Sequence, residues 1–482
     1  MTLPLVEELR PFPDVSQALQ AFADQPGLIL LDSALQREPI GRYSFLAADP
    51  FDRVILQRVA FGDDPFAGLR SVLSAWETEP IADLPPFQGG AAGLLSYELG
   101  GAFEQIPRTA IDEFQLPDLA VGIYDWVIAW DHLLERAWVI SHGFPGATGN
   151  DRLRRAAKRL QFVQGRLKSA PTNPPAIGID DAFAADKLAR QFVAPGLEGL
   201  TSNFSREQYL TQVRRTIEYI HAGDVFQANL TQRLLYRQRS HPIELAQRLR
   251  RENPAPMAGF LAFDDWAVVS ASPERFVSVR NGEVETRPIK GTRQRRPAPE
   301  ADLFTRDELR ESAKDLAENV MIVDLLRNDL SRVCFPGSIR VPQLCSVESY
   351  ETVQHLVSEV RGRLLDGNDV WNVFQAAFPG GSITGAPKVR AMEIIAELEP
   401  TVRGPYCGCL FYAGFDRAAD SSILIRTFVC RRGWIQCGVG GGIVANSDPA
   451  AEYEETLHKA AGMLRALKSV EFDRPIDDPR PR

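Results

Sequence analysis

The sequence predicts an α+β fold, and three observations support that class. Residues 1 to about 145 carry short apolar runs, such as GLILLDSA at 27–34 and AVGIYDWVIAWD at 120–131, punctuated by Gly, Pro and Asp. Such runs are typical of strands joined by tight turns. Long helical patterns begin only after about residue 145. Beyond that point strands and helices come in groups rather than in alternation, which favours α+β over a doubly wound sheet.

Length and composition narrow the class of protein further. The chain has 482 residues, of which 44% are hydrophobic and 24% charged, and its net charge is −9. This length predicts two or more modules or one large enzyme fold, with the composition of a soluble globular protein. The acidic balance argues against general nucleic-acid binding, which needs an extended basic face.

The cysteines and the N-terminal segment indicate a cytoplasmic protein. No two of the six cysteines form a CxxC pair and no histidines cluster near them, so we expect reduced thiols rather than zinc ligands. The start MTLPLVEELRPFPD lacks the basic and then apolar pattern of a signal peptide, and no segment reaches the roughly 18 apolar residues of a membrane span. We therefore expect no membrane partner.

Three segments follow one another along the chain. Residues 1–145 form the β-rich N-terminal region, 146–200 a connecting segment, and 201–470 the segment that carries the chemistry. The connecting segment joins a helical pattern at 150–170 to a proline-rich break at 171–178. The elements predicted in the third segment are a helix at 202–224 capped by Ser202 or Asn203 and ended by Gly223, strands at 226–236, 257–271 and 274–280, helices at about 306–332, 368–378 and 388–398, strands at 406–415, 422–430 and 434–444, and a helix at 449–469 with Asp448 as its cap.

Two pairs of acidic residues stand at helical spacing. Asp315 and Glu318 are three residues apart, and so are Glu452 and Glu455 near the C-terminus. Each pair therefore projects from one helix face. The ordinary interpretation is a solvated helix face. If the two pairs instead face each other, they need a cation, and carboxylate oxygens suit Mg²⁺.

A lysine at 290 stands among arginines in TRPIKGTRQRR at 286–296. Like charges depress the pKa of a lysine and leave more free amine to act as nucleophile or base, so the arginines at 287, 293, 295 and 296 are candidates for tuning Lys290. A solvated basic turn explains the same stretch. The nearby SPERF at 272–276 supplies Glu274, so that an acid and an amine lie on neighbouring strand-like runs and can divide acid and base roles.

Two glycine-rich segments have no standard nucleotide motif. PGGSITGAPKVRAMEIIAELE at 379–399 places a glycine loop before a helix, whose free amides can bind an anion, but it is not a Walker motif; a plain capping loop explains it equally well. GVGGGIVANSDP at 438–449 lacks the last glycine of GxGxxG. Its glycines indicate backbone amides close to a ligand.

Seven of these stretches occur in the order found in chorismate-utilising enzymes. They are SPERF, PIKGT, AENVMIVDLLRNDL, VQHLVSEV, PGGSITGAPK, ILIRT and GVGGGIVANSDPAAEYEET, which lie between about 202 and 465. The chain resembles this family, which includes anthranilate, aminodeoxychorismate, isochorismate and salicylate synthases. A weaker resemblance to the two aminating branches extends into 1–145 through LLDSA and GRYSF. The resemblance implies a large fold with central antiparallel β-sheets and helices outside.

The resemblance also implies a reaction. The lysine of PIKGT is typical of the aminodeoxychorismate branch, whereas anthranilate synthases usually have PIAGT. Lys290 would then attack C2 of chorismate, Glu274 would protonate the departing C4 hydroxyl, and ammonia would add at C4. The alternatives are the component I subunit of an anthranilate synthase, or a catalytically idle binding subunit with the same fold.

The remaining site residues are carried over from the resemblance. Glu318 and Glu455 match positions that hold Mg²⁺, with Asp315 and Glu452 acting through its waters. The residues that match substrate-binding positions are Arg426, Tyr412, Gly440, Gly441, Gly442, Lys459, Thr384, His355 and Gln227. A separate glutamine amidotransferase subunit would supply ammonia, and the product would lead to 4-aminobenzoate and folate. LLDSA and NPAPM at 253–257 stand where relatives contact tryptophan, so the N-terminal region is also a candidate tryptophan site.

Overall fold

The computed structural model describes residues 4–169, 183–295, 298–349 and 353–468. The proline-rich break at 171–178 and Arg296 lie outside these residues. Among the described residues, no helix has the length and apolar character needed to cross a bilayer.

The helices, in chain order, are α1 Val15–Ala21, α2 Ala67–Ala75, α3 Gly149–Lys168, α4 Arg206–His221, α5 Pro242–Glu252, α6 Pro299–Glu311, α7 Ala313–Ser331, α8 Val370–Ala377, α9 Lys388–Leu398 and α10 Pro449–Lys468. The strands are β1 Leu5–Glu8, β2 Leu28–Asp32, β3 Tyr43–Ala47, β4 Asp52–Leu56, β5 Gly90–Leu95, β6 Leu119–Tyr124, β7 Trp126–Asp131, β8 Arg136–Ser141, β9 Phe192–Val193, β10 Thr201–Ser202, β11 Gln227–Arg237, β12 Met257–Phe263, β13 Trp266–Ser272, β14 Arg275–Arg280, β15 Glu283–Thr286, β16 Ile289–Gln294, β17 Arg340–Ser349, β18 Val353–Arg363, β19 Gly385–Ala386, β20 Cys409–Gly414, β21 Ala419–Ile423, β22 Thr427–Arg431 and β23 Trp434–Ile443.

In the described part of the chain, these strands form two large sheets with antiparallel neighbours. The first sheet has 13 strands in the order β1-β8-β7-β3-β2-β12-β13-β22-β23-β11-β10-β9, with β19 beside β11. The second has 10 strands in the order β16-β18-β15-β14-β21-β20-β5-β6-β4, with β17 beside β18. This architecture confirms the predicted α+β class with central antiparallel sheets.

Both sheets draw strands from the N-terminal region and from the region after residue 200. In the first sheet, β2 pairs with β12, and Leu30 stands opposite Phe260. In the second, β5 pairs with β20, and Ala92 stands opposite Tyr412. The two regions are thus hydrogen-bonded to each other through backbone ladders. The segment boundaries at 145 and 200 remain predictions from sequence.

One apolar core layer lies between the sheets, and two larger ones cover their outer faces. Strand β7, WVIAWD, is apolar except for its last residue, because both of its faces are buried. Trp126 and Trp130 pack in the layer with α1, α3, α5 and α10, while Val127 packs between the sheets. A strand buried on both faces has no polar side to expose. Full burial of each large side chain contributes roughly 1.5–3 kcal/mol.

The helix predictions were confirmed at some places and wrong at others. The helices at 388–398 and from Pro449 are present, and Asp448 caps the second by accepting the Ala451 amide at 2.8 Å. The helix predicted at 202–224 begins four residues later, because Ser205 is its cap and Ser202 belongs to β10. The predicted helix at 306–332 is two helices, since Ser312 ends α6 and caps α7.

Candidate active site

A cavity of about 1220 Å³ lies where β11, β16, β18 and β23 meet the helices α7 and α10. It contains both the amine and the acid singled out in the sequence. The predicted residues that line it are Glu274, Lys290, Asp315, Glu318, His355, Arg426, Gly440, Gly441, Gly442, Glu452, Glu455 and Lys459. Segments that are far apart in the sequence, from Glu274 to Lys459, therefore converge on one site.

Lys290 is held on β16, where its neighbour on β18 is Leu356. Its ammonium nitrogen Nζ donates to the carbonyl of Ser382 at 3.0 Å. Gly291, next in sequence, has φ of 71°, and a Cβ there would lie 2.8 Å from Leu309. The glycine of PIKGT therefore allows β16 to bulge past α6 and to direct Lys290 at the cavity.

Burial lowers the pKa of Lys290, although the negative charges of Glu318 and Glu274 act in the opposite direction. For Arg287, Arg293 and Arg295, the prediction that arginines tune this amine was wrong, because each of them is paired with a carboxylate. Arg287 pairs with Glu348 at 2.6 Å, Arg293 with Asp315 at 3.0 Å, and Arg295 with Asp302 at 2.7 Å. Desolvation disfavours the charged form of the amine, and the positive charge of Lys459 acts in the same direction.

Glu274 lies between β13 and β14 and is almost completely buried. Its own amide donates to the Ser272 hydroxyl at 3.2 Å, and its carbonyl accepts the Ile423 amide at 3.0 Å, so the backbone around it is fixed. Burial raises the pKa of its carboxyl to about 7, against the opposing effects of Ser382 and Lys290. A carboxylic acid with this pKa can hold a proton near neutral pH and release it to a leaving group.

Arg426 and His355 occupy another wall of the cavity. Arg426 interrupts the chain between β21 and β22 with φ of 52°, which divides the predicted strand at 422–430 into two. His355 lies on β18 and is buried, and its pKa falls to about 3 because of that burial and of the nearby Arg426. A neutral imidazole beside a guanidinium leaves Arg426 as the positive group available to a substrate carboxylate.

The three consecutive glycines of β23 allow close approach on both sides of the strand. A Cβ at Gly440 would lie 2.4 Å from the Leu230 carbonyl, and one at Gly442 would lie 2.3 Å from the side-chain nitrogen of Gln227. At Gly441 it would stand 3.2 Å from a carboxylate oxygen of Glu452. Larger residues would therefore press against β11 or into the cavity.

Three predicted substrate-binding residues, Thr384, Gln227 and Tyr412, do not line this cavity. Thr384 is fully buried, with its hydroxyl donating to the Gly380 carbonyl at 3.0 Å. Gln227 is also buried, and its side-chain amide donates to Asn229 at 3.3 Å. Both lie behind the cavity wall, where they support residues that do line it.

Tyr412 is placed elsewhere because its side chain lies on β20 between the sheets. Its ring stacks on Phe87 at a centroid distance of 4.7 Å and faces a different cavity. The tyrosine that lines the cavity with Arg426 is Tyr406, in the turn before β20. Its ring packs over Gly438, where a Cβ would lie 2.3 Å from the ring. The glycines of β23 were the signal that could have indicated Tyr406, because a large side chain must fill the space above a glycine in a buried strand.

Two further residues that line the cavity, Asn229 and Ser382, were not predicted from the sequence. Asn229, on β11, donates its side-chain amide to the Ser382 carbonyl at 2.8 Å. The same carbonyl accepts Lys290, so Ser382 links the amine to β11. The loop before α9 does not present Lys388 to a ligand, because that ammonium donates to Asp329 at 2.7 Å and to the Ala377 carbonyl at 2.8 Å.

The four acidic residues approach one another across the cavity, from α7 and α10. Burial raises the pKa of Glu318 and that of Glu452, which also accepts the Ser447 hydroxyl at 2.6 Å. Burial also acts to raise the pKa of Glu455, but Lys459 at 2.7 Å outweighs it and the pKa is lowered.

All-carboxylate donors that line a cavity fit the chemistry of Mg²⁺. In this structure, however, no three of the described acidic, histidine or cysteine side chains come close enough together to hold an ion. Lysine ammonium groups stand between the carboxylates instead, with Lys314 3.7 Å from Glu452 and 4.0 Å from Glu318. The magnesium site stays a prediction.

The second cavity, of about 760 Å³, lies between the sheets at the N-terminal region. It is lined by residues of both segments predicted for tryptophan, including Leu31, Asp32, Ser33 and Met257, together with Tyr412. Asp32 is paired with Arg250 at 2.8 Å. Tryptophan binding there is untested and stays a prediction.

Comparison with known proteins identifies the family. The chorismate binding enzyme family matches residues 29–465. The chain belongs to that family. An aminodeoxychorismate synthase component 1 from Klebsiella aerogenes is 40% identical over 459 residues, which cover 93% of this chain and 95% of the relative. An anthranilate synthase component 1 from Streptomyces coelicolor is 41% identical, covering 93% of this chain and 85% of the relative.

Solved structures of the family share the fold. Anthranilate synthase component I from Streptococcus pneumoniae superposes with a TM-score of 0.75 at 28% identity, over 89% of this chain and 94% of that one. A menaquinone-specific isochorismate synthase from Escherichia coli, at 18% identity, has a TM-score of 0.69 and covers 96% of this chain and 95% of its own. The relatives named aminodeoxychorismate synthase and anthranilate synthase are about equally similar to this chain. Sequence identity therefore does not decide between these two branches of the family, and the residues of the site must be considered.

Proposed function

We propose that the chain is the aminating subunit of an aminodeoxychorismate synthase, which converts chorismate and ammonia into 4-amino-4-deoxychorismate. The observation that carries the proposal is the buried amine of Lys290, which enters the cavity beside the buried acid Glu274. The similarity to named aminodeoxychorismate synthase components supports the same reaction. Without an amine at this position, a direct attack by ammonia at C2 would be the simpler chemistry.

In the first step, the neutral amine of Lys290 attacks C2 of chorismate. The new bond from nitrogen to C2 forms as the two conjugated ring double bonds shift and the bond from C4 to its hydroxyl breaks. Glu274 gives its proton to that hydroxyl, which leaves as water. Burial favours both reactants, because it lowers the pKa of the amine and raises that of the acid.

In the second step, ammonia attacks C4 and both double bonds shift back as the bond from C2 to Lys290 breaks. The attacking nitrogen loses one proton, and the lysine nitrogen is released as a neutral amine. Glu274, ionised after the first step, can take up that proton. The balance is chorismate plus ammonia to aminodeoxychorismate plus water, and covalent catalysis divides one substitution into two easier displacements.

Substrate binding falls to the cationic wall and to the metal site. Arg426 and the amides of Gly440 to Gly442 would bind a carboxylate of chorismate, with Tyr406 beside them. Glu318 and Glu455, with Asp315 and Glu452 through waters, would hold Mg²⁺. When bound, the ion would anchor the ring carboxylate and neutralise its charge.

We further propose that a glutamine amidotransferase subunit supplies the ammonia. Ammonia is mostly protonated at neutral pH, and relatives are named as components of synthases. The product would then be passed to an enzyme that makes 4-aminobenzoate for folate. We also propose that the protein acts in the cytoplasm, as its sequence led us to expect.

The second candidate is the component I subunit of an anthranilate synthase, favoured by the 41% identity to a relative with that name. The deciding assay separates the products of chorismate, ammonium and Mg²⁺ by chromatography with mass detection. Three chains are compared: the intact protein, Lys290→Ala, and Lys158→Ala as a control on the exposed face of α3.

The proposal predicts a 4-amino product that the control variant retains and Lys290→Ala loses. Anthranilate as the product would assign the chain to the second candidate. Chorismate left unconsumed, even with an added amidotransferase subunit, would indicate an idle binding subunit.

A further inference from the structure

Three of the four carboxylates proposed to hold Mg²⁺, those of Glu318, Glu452 and Glu455, face lysine ammonium groups in this structure. The Nζ atom of Lys314 lies 3.7 Å from an oxygen of Glu452 and 4.0 Å from an oxygen of Glu318. Glu318 is on α7 and Glu452 is on α10, so this single ammonium bridges the two helices. Lys459 lies 2.7 Å from Glu455 and donates to the Gly440 carbonyl at 2.9 Å.

Lys314 is not at a position where a helix favours a lysine. It is the second residue of α7, directly after the cap Ser312 and Ala313. Free amides give a helix N-terminus a partial positive charge, which disfavours a cation in the first turn. The side chain therefore gains its attraction from the carboxylates across the cavity and not from its own helix.

The two carboxylates need such a partner. Glu452 is buried, with 5% of its side chain exposed, and 15% of the Glu318 side chain is exposed. Two negative charges in this setting repel each other unless a cation lies between them. Lys314 is 45% exposed, so its flexible stem can turn outward into solvent without breaking buried contacts.

We propose that Lys314 is a resident counter-cation of the magnesium site. Its ammonium bridges Glu318 and Glu452 when the metal is absent, and it swings into solvent when Mg²⁺ binds. This inference rests on the proposed magnesium site. Metal binding is then an exchange of one cation for another. Lys314 weakens the apparent affinity for the metal, and it stabilises the metal-free protein.

The test measures metal binding directly, on the full chain. Mn²⁺ binding is followed by the electron paramagnetic resonance signal of the free ion, and Mg²⁺ binding by calorimetry and by competition with Mn²⁺. Lys314→Met keeps the length and the apolar stem of the side chain but removes the charge. Arg327→Met is the matched control, because Arg327 lies on the same helix and pairs with the exposed Asp324 at 2.9 Å, away from the cavity.

We expect Lys314→Met to bind both ions on the order of tenfold more tightly, which corresponds to about 1.4 kcal/mol. In the presence of a chelator its Tm falls below that of the unchanged protein, and added Mg²⁺ raises the Tm of the variant more than that of the unchanged protein. The control is expected to change neither the affinity nor the gain in Tm on adding metal.

Two results overturn the inference and can be told apart. If the unchanged protein binds metal and Lys314→Met binds it equally or more weakly, Lys314 is not a competing cation, and the magnesium site stands. If neither binds either ion, with or without chorismate, the proposed magnesium site fails and the role of Lys314 fails with it.

Discussion

At the scale of single residues, burial acts in opposite directions on the two groups at the centre of the site. It disfavours the charged form of each, and so it lowers the pKa of Lys290 and raises that of Glu274. The sequence indicated an acid and an amine, but it pointed to the arginines as the cause of the tuning. Arg287 and Arg293 are instead paired with Glu348 and Asp315, and such ion pairs cannot be read from the spacing of residues in the sequence.

The pKa of Glu274 makes a prediction about pH. Amination should decline as pH rises through about 7, because Glu274 loses the proton that it must donate. The folded pKa lies above the usual value near 4.5, so its contribution to stability is fully present below pH 4.5 and is lost as pH rises through about 7. Glu274→Gln should therefore lose activity by about 10²–10⁴-fold while it becomes more stable than the unchanged protein at pH 8.

Glu98→Gln is the control for this pair of effects. Burial also raises the pKa of Glu98 to about 7, but its carboxylate accepts the amides of Arg403 and Gly404 away from Lys290. The control should shift stability with pH and keep most of the activity. Measurements of product formation and of urea unfolding at pH 6 and pH 8 check both variants. Equal loss of activity in the two would contradict the acid role of Glu274.

At the scale of elements, local patterns predicted most helices and strands, but not where they break. The apolar spacing over 306–332 continues across Ser312, so it gave one helix where the structure has α6 and α7. The missed signal was the serine itself, whose hydroxyl accepts the Asp315 amide at 3.3 Å. This break places Lys314, Asp315 and Glu318 in the first turns of α7, facing the cavity.

Removal of that cap should affect stability and metal binding together. Ser312→Ala is expected to reduce the free energy of unfolding by about 1 kcal/mol and to weaken Mg²⁺ binding, because the first turn of α7 frays. Ser205→Ala removes the equivalent cap of α4, where Ser205 accepts the Gln208 amide at 3.2 Å. It should cost a similar amount of stability without changing metal affinity. Denaturant unfolding and metal titrations compare the two variants. An equal effect of both on metal binding would contradict the role of the first turn of α7 in the metal site.

At the scale of the whole molecule, the site is assembled by contacts that sequence patterns do not encode. The motif residues near Lys290 could be predicted because the family resemblance carries them. Tyr406 could not be chosen over Tyr412, since the choice depends on which tyrosine lies between the sheets and which packs over Gly438. Thr384 and Gln227 belong to the same motifs but lie behind the wall of the cavity.

The shared sheets predict that the N-terminal and C-terminal regions unfold together. A fragment that starts at residue 201 would expose β12 without β2 and β20 without β5. We expect one cooperative transition of the full chain in scanning calorimetry, and no folded protein from the fragment alone. Two separate transitions, or a soluble fragment with a cooperative melt, would contradict this arrangement.

The central claim is that Lys290 forms a bond to the substrate. The measurement is intact mass spectrometry and peptide mapping of the protein after incubation with chorismate and Mg²⁺ in the absence of ammonia. We predict a mass increase of one chorismate less one water, located on Lys290, which disappears when ammonium is added and is absent from Lys290→Ala. An unmodified Lys290 in protein that still makes the 4-amino product would contradict the account.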